Sequence, residues 1–299
     1  RDGFWIARML KKHQITNYVM DPASIEVPRR SRQRKTDRLD AKKLLKLLIR
    51  YVLWEERDAF SIVCVPNEAQ EASMRTYRER ERLQKERTAH RARIKSLGKL
   101  HGIDISHPDK VHIDRLKDWQ GKVLAEELKN ELRREQQRLC MIEEQLREVE
   151  QVQELAVASP QTEAVRKVAK LQKLRSVGMQ TSWMLGHECF GWRTFANRKR
   201  LGSFAGLAGT PFDSGETLRE QGISKAGSGR IRRGMIELSW LWLRYQPDSE
   251  LTRWFMDRYA KGSKRSRRKG IVALARKLLI ALWKYVEYDI VPEGAMLKA

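Results

Sequence analysis

The chain has 299 residues, of which 61 are Lys or Arg against 38 Asp or Glu, a formal charge of +23. A surface this positive repels itself unless a polyanion neutralises it, so phosphate backbones are the expected partner and an anionic membrane surface the weaker one. No apolar run approaches the roughly 18 to 20 residues that cross a bilayer, the three cysteines form no CxxC pair, and HExxH and secretory-signal patterns are missing. Membrane spanning, a disulfide framework and a zinc hydrolase are thereby excluded. Cys64, Cys140 and Cys189 are expected to be reduced and mostly packed.

The chain opens at Arg1-Asp2-Gly3-Phe4-Trp5 without a Met, directly in a helical pattern. That start is expected of a segment cut from a longer protein. Apolar residues recur at helical spacing over 4–10, and 15–20 reads as a strand ended by Asp21-Pro22. A basic stretch follows, carrying Arg29, Arg30, Arg32, Arg34 and Lys35. Thr36 is an N-cap candidate, after which Leu44, Leu45, Leu47, Leu48 and Val52 continue an amphipathic helix. With a second strand at 61–65, the alternation predicts a partial α/β sheet domain over 1–65.

Asn67 with Gln70 resembles a capping box, opening a charged helical stretch to about residue 100. A loop with Gly102 and Pro108 leads to a second helix over 123–158. Its Leu124, Leu128, Leu132, Leu139, Ile142, Leu146, Val149 and Val152 recur at spacings that make a coiled-coil seam. The two helices predict a long antiparallel coiled-coil arm over 66–158, whose expected role is to hold subunits together.

Beyond Pro160 a mainly α C-terminal domain is predicted over 159–299. Residues 171–185 resemble a helix-hairpin-helix, in which glycines let backbone N–H groups approach a phosphate; Gln180 stands where the second glycine is expected. A structural helical turn and non-specific DNA contact both fit that pattern. Trp183, Trp192, Trp240, Trp242, Trp254 and Trp283 are expected to pack the core rather than stack on bases.

Two constellations can carry chemistry. Asp37 and Asp40, spaced i, i+3 at a helix start, share one face, the minimum for holding Mg²⁺ against a substrate phosphate. Stabilisation by the helix dipole explains the same pair without a metal. The second is the Gly- and Ser-rich stretch 206–233, where Ser214 sits beside Lys225, Arg230, Arg232 and Arg233. A serine among cations can attack phosphorus, because nearby positive charge stabilises the developing oxyanion. A phosphate-binding loop without covalent chemistry is the other reading; a Walker A loop is excluded, since GK[ST] is absent. A third basic run, with Lys264, Arg265, Arg267 and Arg268, precedes an apolar helix and suits backbone binding.

KTDRLDAKKL from Lys35, RERERL from Arg78 and FAGLAGTPFDSGETLREQGISKAGSGRIRR from Phe204 together resemble the DEDD transposases guided by a bridge RNA, over about residues 3–295. The resemblance implies a RuvC-like, RNase H-type N-terminal domain in which Asp37 and Asp40 are two of four acidic Mg²⁺ ligands. It implies that Ser214 attacks a DNA phosphate to give a 5′-phosphoserine, and that the chain works as a dimer or tetramer around a guide RNA, with base pairing reading the DNA sequence. A cytoplasmic, nucleoid-associated location follows from the same likeness. The family's first Asp and its Glu fall before Arg1, so the chain as it stands is expected to be catalytically impaired. A metal-dependent nuclease or junction resolvase without serine chemistry, and an inactive nucleic-acid-binding fragment, are the alternatives.

Overall fold

The computed structural model describes residues 3–25, 36–214 and 217–298. In the N-terminal region, α1 (Trp5–Lys12) and α2 (Asp37–Val52) form as their periodicity predicts, and Thr36 caps α2 by accepting the Leu39 N–H at 3.4 Å. Neither helix buries a residue. Leu44, Leu45 and Val52, predicted to face inward, are exposed instead. The two predicted strands reduce to one antiparallel bridge between Met20 and Ile62, flanked by Asp21 N–H on Ser61 O and Val63 N–H on Val19 O, both 2.8 Å. A lone pair of short strands is marginal without a third strand or a packed face; among the described residues there is no third strand, and the packing rests on Tyr18 and Phe60 against Tyr51. Phe60 is buried against the Tyr51 ring, 4.7 Å centroid to centroid.

The capping box is real. Asn67 accepts the Gln70 N–H at 2.8 Å and Gln70 accepts the Asn67 N–H at 2.9 Å, which starts α3 (Glu68–Ser73). After a break at buried Met74, α4 (Arg75–Leu100) and α5 (Glu126–Ala158) pair antiparallel. Pairs run in opposite sequence directions along the arm: Arg80 to Glu150 at 2.7 Å, Leu83 packed with Ile142 and Leu146, and His90 Nδ1 to Glu135 at 2.6 Å. Leu124, Leu132, Leu139, Ile142 and Leu146 of the predicted seam are buried, whereas Val152 is exposed. Because the loop turns α4 back onto α5, this chain fills its own seam, and any subunit contact through the arm must use the outer face.

Glu135 is almost fully buried on that seam, met by His90, Arg93 and Arg138. Burial alone would raise its carboxyl pKa, but the hydrogen bonds and charges of His90 and Arg93 outweigh it and hold the group below the ordinary range.

In the C-terminal domain α6 (Glu163–Gln172), α7 (Met179–Leu185) with its following π turn (Gly186–Phe190), α8 (Arg198–Phe204), α9 (Gly229–Tyr245) and α11 (Lys264–Tyr288) enclose one core. α10 (Glu250–Tyr259) closes a second cluster against α11 through Phe255, Ile271 and Leu274. Trp183, Trp242 and Trp283 are buried as predicted, while Trp240 is exposed. Of the cysteines only Cys189 is packed; Cys64 and Cys140 face solvent, against expectation.

α6, a tight turn and α7 do make a helix-hairpin-helix, and the residue standing in for a glycine is Ser176, not Gln180. Ser176 has φ +99°, the left-handed region that favours glycine. Gln180 instead donates to Gln153 Oε1 on the arm at 2.8 Å.

Candidate active site and nucleic-acid interface

The stretch 206–233 is not an open loop. Its centre is an antiparallel hairpin, β1 (Gly209–Ser214) with β2 (Thr217–Ile223), whose last pair is Ser214 with Thr217. Ser214 therefore ends a strand at the hairpin tip. The register slips between Gly209 and Pro211, leaving one extra residue on β2, as expected where a proline has no N–H to give the ladder.

The GISKAG part of the motif forms a clasp at the hairpin base. Ser224 N–H donates to Ala208 O at 2.9 Å and Ser228 N–H to Phe204 O at 2.7 Å. Gly227 has φ +102°, and a Cβ there would stand 2.4 Å from Phe204 O, so a side chain fits neither the backbone angle nor the space. Arg232 braces the clasp by donating to Lys225 O at 3.0 Å and, more weakly, to Ala205 O at 3.5 Å. Ser228 then caps α9 by accepting the Ile231 N–H. The hairpin is thus fixed to α8 on one side and α9 on the other.

The candidate cations divide into two groups. Arg230 is engaged: Nε and Nη2 donate to Glu81 at 2.9 and 2.7 Å, and Nη1 reaches Glu188 at 3.5 Å. Arg233 joins Glu81 at 3.1 Å but stays mostly in water. Arg78 completes the network with a two-pronged pair to Glu188 at 2.7 and 2.9 Å, which raises its own pKa further. Burial pushes Glu81 up, yet the Arg230 hydrogen bond and charge, aided by Lys85 and Arg233, bring it below the ordinary range. Arg232 serves the clasp. Lys225, by contrast, is exposed, and so are Lys264, Arg265, Arg267 and Arg268 in the opening turns of α11, beyond the Ser263 cap. A helix N-terminus already carries positive partial charge, so four cations there are unfavourable until an anion arrives.

Asp37 and Asp40 lie in the first turn of α2, as the spacing predicts. Among the described residues no three His, Cys, Asp or Glu side chains converge as a metal cluster, and no described contact joins this pair to the hairpin. Arg29, Arg30, Arg32, Arg34 and Lys35 lie outside the described residues.

Sequence reasoning passed over Arg193, Glu81 and Glu188. Arg193 is stacked on Trp192 at 3.9 Å and on Phe204 at 4.6 Å, with its Nε buried and unpartnered. Burial lowers its pKa, so a guanidinium held beside the clasp is poorly solvated and short of an anion. Its only sequence signal is an Arg between aromatics. Exposed Arg198, Lys199 and Arg200 follow at the start of α8, capped by Asn197.

A basic chain that clasps a serine-tipped hairpin between helices, with exposed cations at its base and on the adjoining α8, has the build of a nucleic-acid-processing protein. Residues 168–253 match the transposase IS116/IS110/IS902 family. Over 309 residues the chain is 37% identical to y4rJ of Sinorhizobium fredii (strain NBRC 101917 / NGR234), a protein named as a transposase by inference, covering 99% of this chain and 78% of that relative. The chain belongs to the IS116/IS110/IS902 transposase family, and its substrate is DNA. No helix among the described residues is long and apolar enough to cross a membrane.

Proposed function

We infer that the chain is a transposase of an insertion sequence that cuts and rejoins DNA through Ser214. The observation that carries this reading is the clasped hairpin: Ser214 ends β1 opposite Thr217, on a scaffold fixed by the Gly227 clasp. A nucleophile must be held close to its line of attack, and a hairpin clasped at its base supports that better than a mobile phosphate loop. Ser214 Oγ would attack a DNA phosphorus, losing its proton to solvent. The P–O3′ bond breaks, the 3′ oxygen takes a proton, and a 5′-phosphoserine is left. A second 3′-hydroxyl reverses the step, restores the serine and joins the new strands without ATP. Lys225 and Arg193 sit at the clasped base of the hairpin, a strand's length from Ser214, where they would hold the DNA backbone that leads to the serine.

Asp37 and Asp40 suit Mg²⁺, which takes one or two carboxylates, keeps several waters and accepts substrate phosphate oxygens. When bound, the ion supplies Lewis-acid stabilisation of phosphoryl charge. The carboxylates' own work is to orient that group on one turn of α2, kept in place by the Thr36 cap. A guide RNA fits the surplus of cations, because base pairing would then read the sequence and the protein would hold backbone.

Expression of the full-length protein from the native locus, with its flanking DNA, tests this. The expected result is one discrete structured RNA copurifying with the protein, with strand exchange lost on Ser214→Ala, Asp37→Asn or Asp40→Asn while DNA binding persists. A smear of unrelated nucleic acid, with exchange unaffected by all three changes, would contradict it.

A further inference from the structure

We propose that the tip of the coiled-coil arm is a stacking site for an unpaired base of a single-stranded nucleic acid, with Trp119 as the platform. Trp119 is 76% exposed, more than Trp54 (65%), Trp5 (55%) or Trp240 (45%). A large indole left in water forgoes much of the roughly 2 to 3 kcal/mol that burial of such a side chain provides.

The tip is built to hold it still. Ile94, Ile105, Ile113, Leu124 and Leu132 give the arm's end its own aliphatic core. Over that core, Asp118 accepts the N–H groups of Gln120 and Lys122 at 2.9 and 2.8 Å, and Lys117 bridges to Val123. Trp119 N–H donates to His101 O at 3.1 Å. The backbone beneath is cut to fit: Gly102 has φ +75°, and a Cβ there would stand 2.8 Å from the Trp119 Cβ.

Charge selects the occupant. Four acids of the tip are engaged: Asp104 to Lys99, Asp109 to Arg91, Asp114 to Arg133, and Asp118 to its own turn. Lys117 and Lys122, exposed on either side of Trp119, make no ion pair among the described residues. An indole between two unpaired ammonium groups matches a base with its flanking phosphates. A second copy of this chain would bring the same cations and be repelled. Apolar Leu100 and Val123, 76% and 62% exposed, extend the platform.

The site rests on the nucleic-acid reading only for its choice of partner, and the test separates the two. The whole chain is titrated by fluorescence anisotropy against a labelled 30-mer of oligothymidylate, an oligouridylate of the same length and a 30-bp duplex. Trp119→Ala is expected to weaken single-strand binding about fivefold or more. Trp119→Phe should stay within about twofold of wild type, with duplex binding and the thermal midpoint unchanged in both. The oligouridylate arm tells RNA from DNA as the preferred strand. Equal single-strand binding by Trp119→Ala, or equal losses on single strand and duplex, would overturn the stacking site. So would a photocrosslinker placed at 119 that joins two protein copies instead of nucleic acid. Failure of the wild type to bind duplex at all would instead count against the DNA reading.

Discussion

Arg230, in the first turn of α9, donates from two nitrogens to Glu81 on α4 at 2.9 and 2.7 Å, so the hairpin scaffold is tied to the base of the arm. Both side chains are only partly exposed, at 29% and 21%, and the pair shares partners with Arg233 and, through Glu188, with Arg78. Partly buried, networked pairs resist solvent screening better than isolated surface pairs.

Glu81→Gln should therefore have two opposite effects. The fold loses about 1 to 2 kcal/mol, read as a lower denaturation midpoint, because two guanidinium groups lose their carboxylate. Duplex affinity at low salt rises, and the log–log salt slope steepens by about 1 to 2, as Arg230 and Arg233 become free for phosphate. A stable variant with an unchanged slope would mean that the network does not restrain these cations.

Gly227→Ala tests the clasp. The left-handed φ and the 2.4 Å approach to Phe204 O together cost more than about 2 kcal/mol. Since the hairpin is held by this contact, strand exchange should fall at temperatures where circular dichroism still reports a folded helical domain. Wild-type exchange by this variant would show that the clasp is dispensable.

His187 gives a pH dependence. It is 3% exposed, stacked on Trp183 at 4.4 Å, and both ring nitrogens lack partners. Burial lowers its pKa to about 4, only partly offset by Glu188. Its unfolded value is near 6.5, so between those limits the unfolded chain takes a proton that the native chain refuses. Stability from this group is level above pH 6.5 and declines as pH falls toward 4, by at most about 3 kcal/mol. Urea midpoints measured from pH 7.5 to 4.5 should fall in the wild type and fall less in His187→Gln. Parallel curves would place the acid sensitivity elsewhere.

Much of this architecture is legible in the sequence where local rules decide. The Thr36 cap and the Asn67–Gln70 box each follow from spacing within a few residues, and both form. What local pattern cannot supply is the partner of a side chain. Arg230 reads as a phosphate ligand until Glu81, 149 positions away, is seen against it. The stretch 206–233 reads as a loop because Pro211 and its glycines weaken strand propensity, although a clasp made by distant backbone atoms turns it into a hairpin. The positions 15–20 and 61–65 carry strand patterning, but patterning forms a ladder only where neighbours complete a sheet. Trp119 carries no signal of its own in the sequence, and only the turn at Asp118 shows that it stands outside the arm's small core.

The serine nucleophile is tested most directly by trapping the intermediate. Protein expressed from its native locus with flanking DNA is incubated with DNA labelled on the 5′-phosphate side of the exchange point, denatured and resolved by mass. The account predicts a protein–DNA adduct that maps to Ser214, disappears in Ser214→Ala and is absent when Asp37 and Asp40 are both changed to Asn. Strand cleavage that continues in Ser214→Ala without any adduct would contradict it.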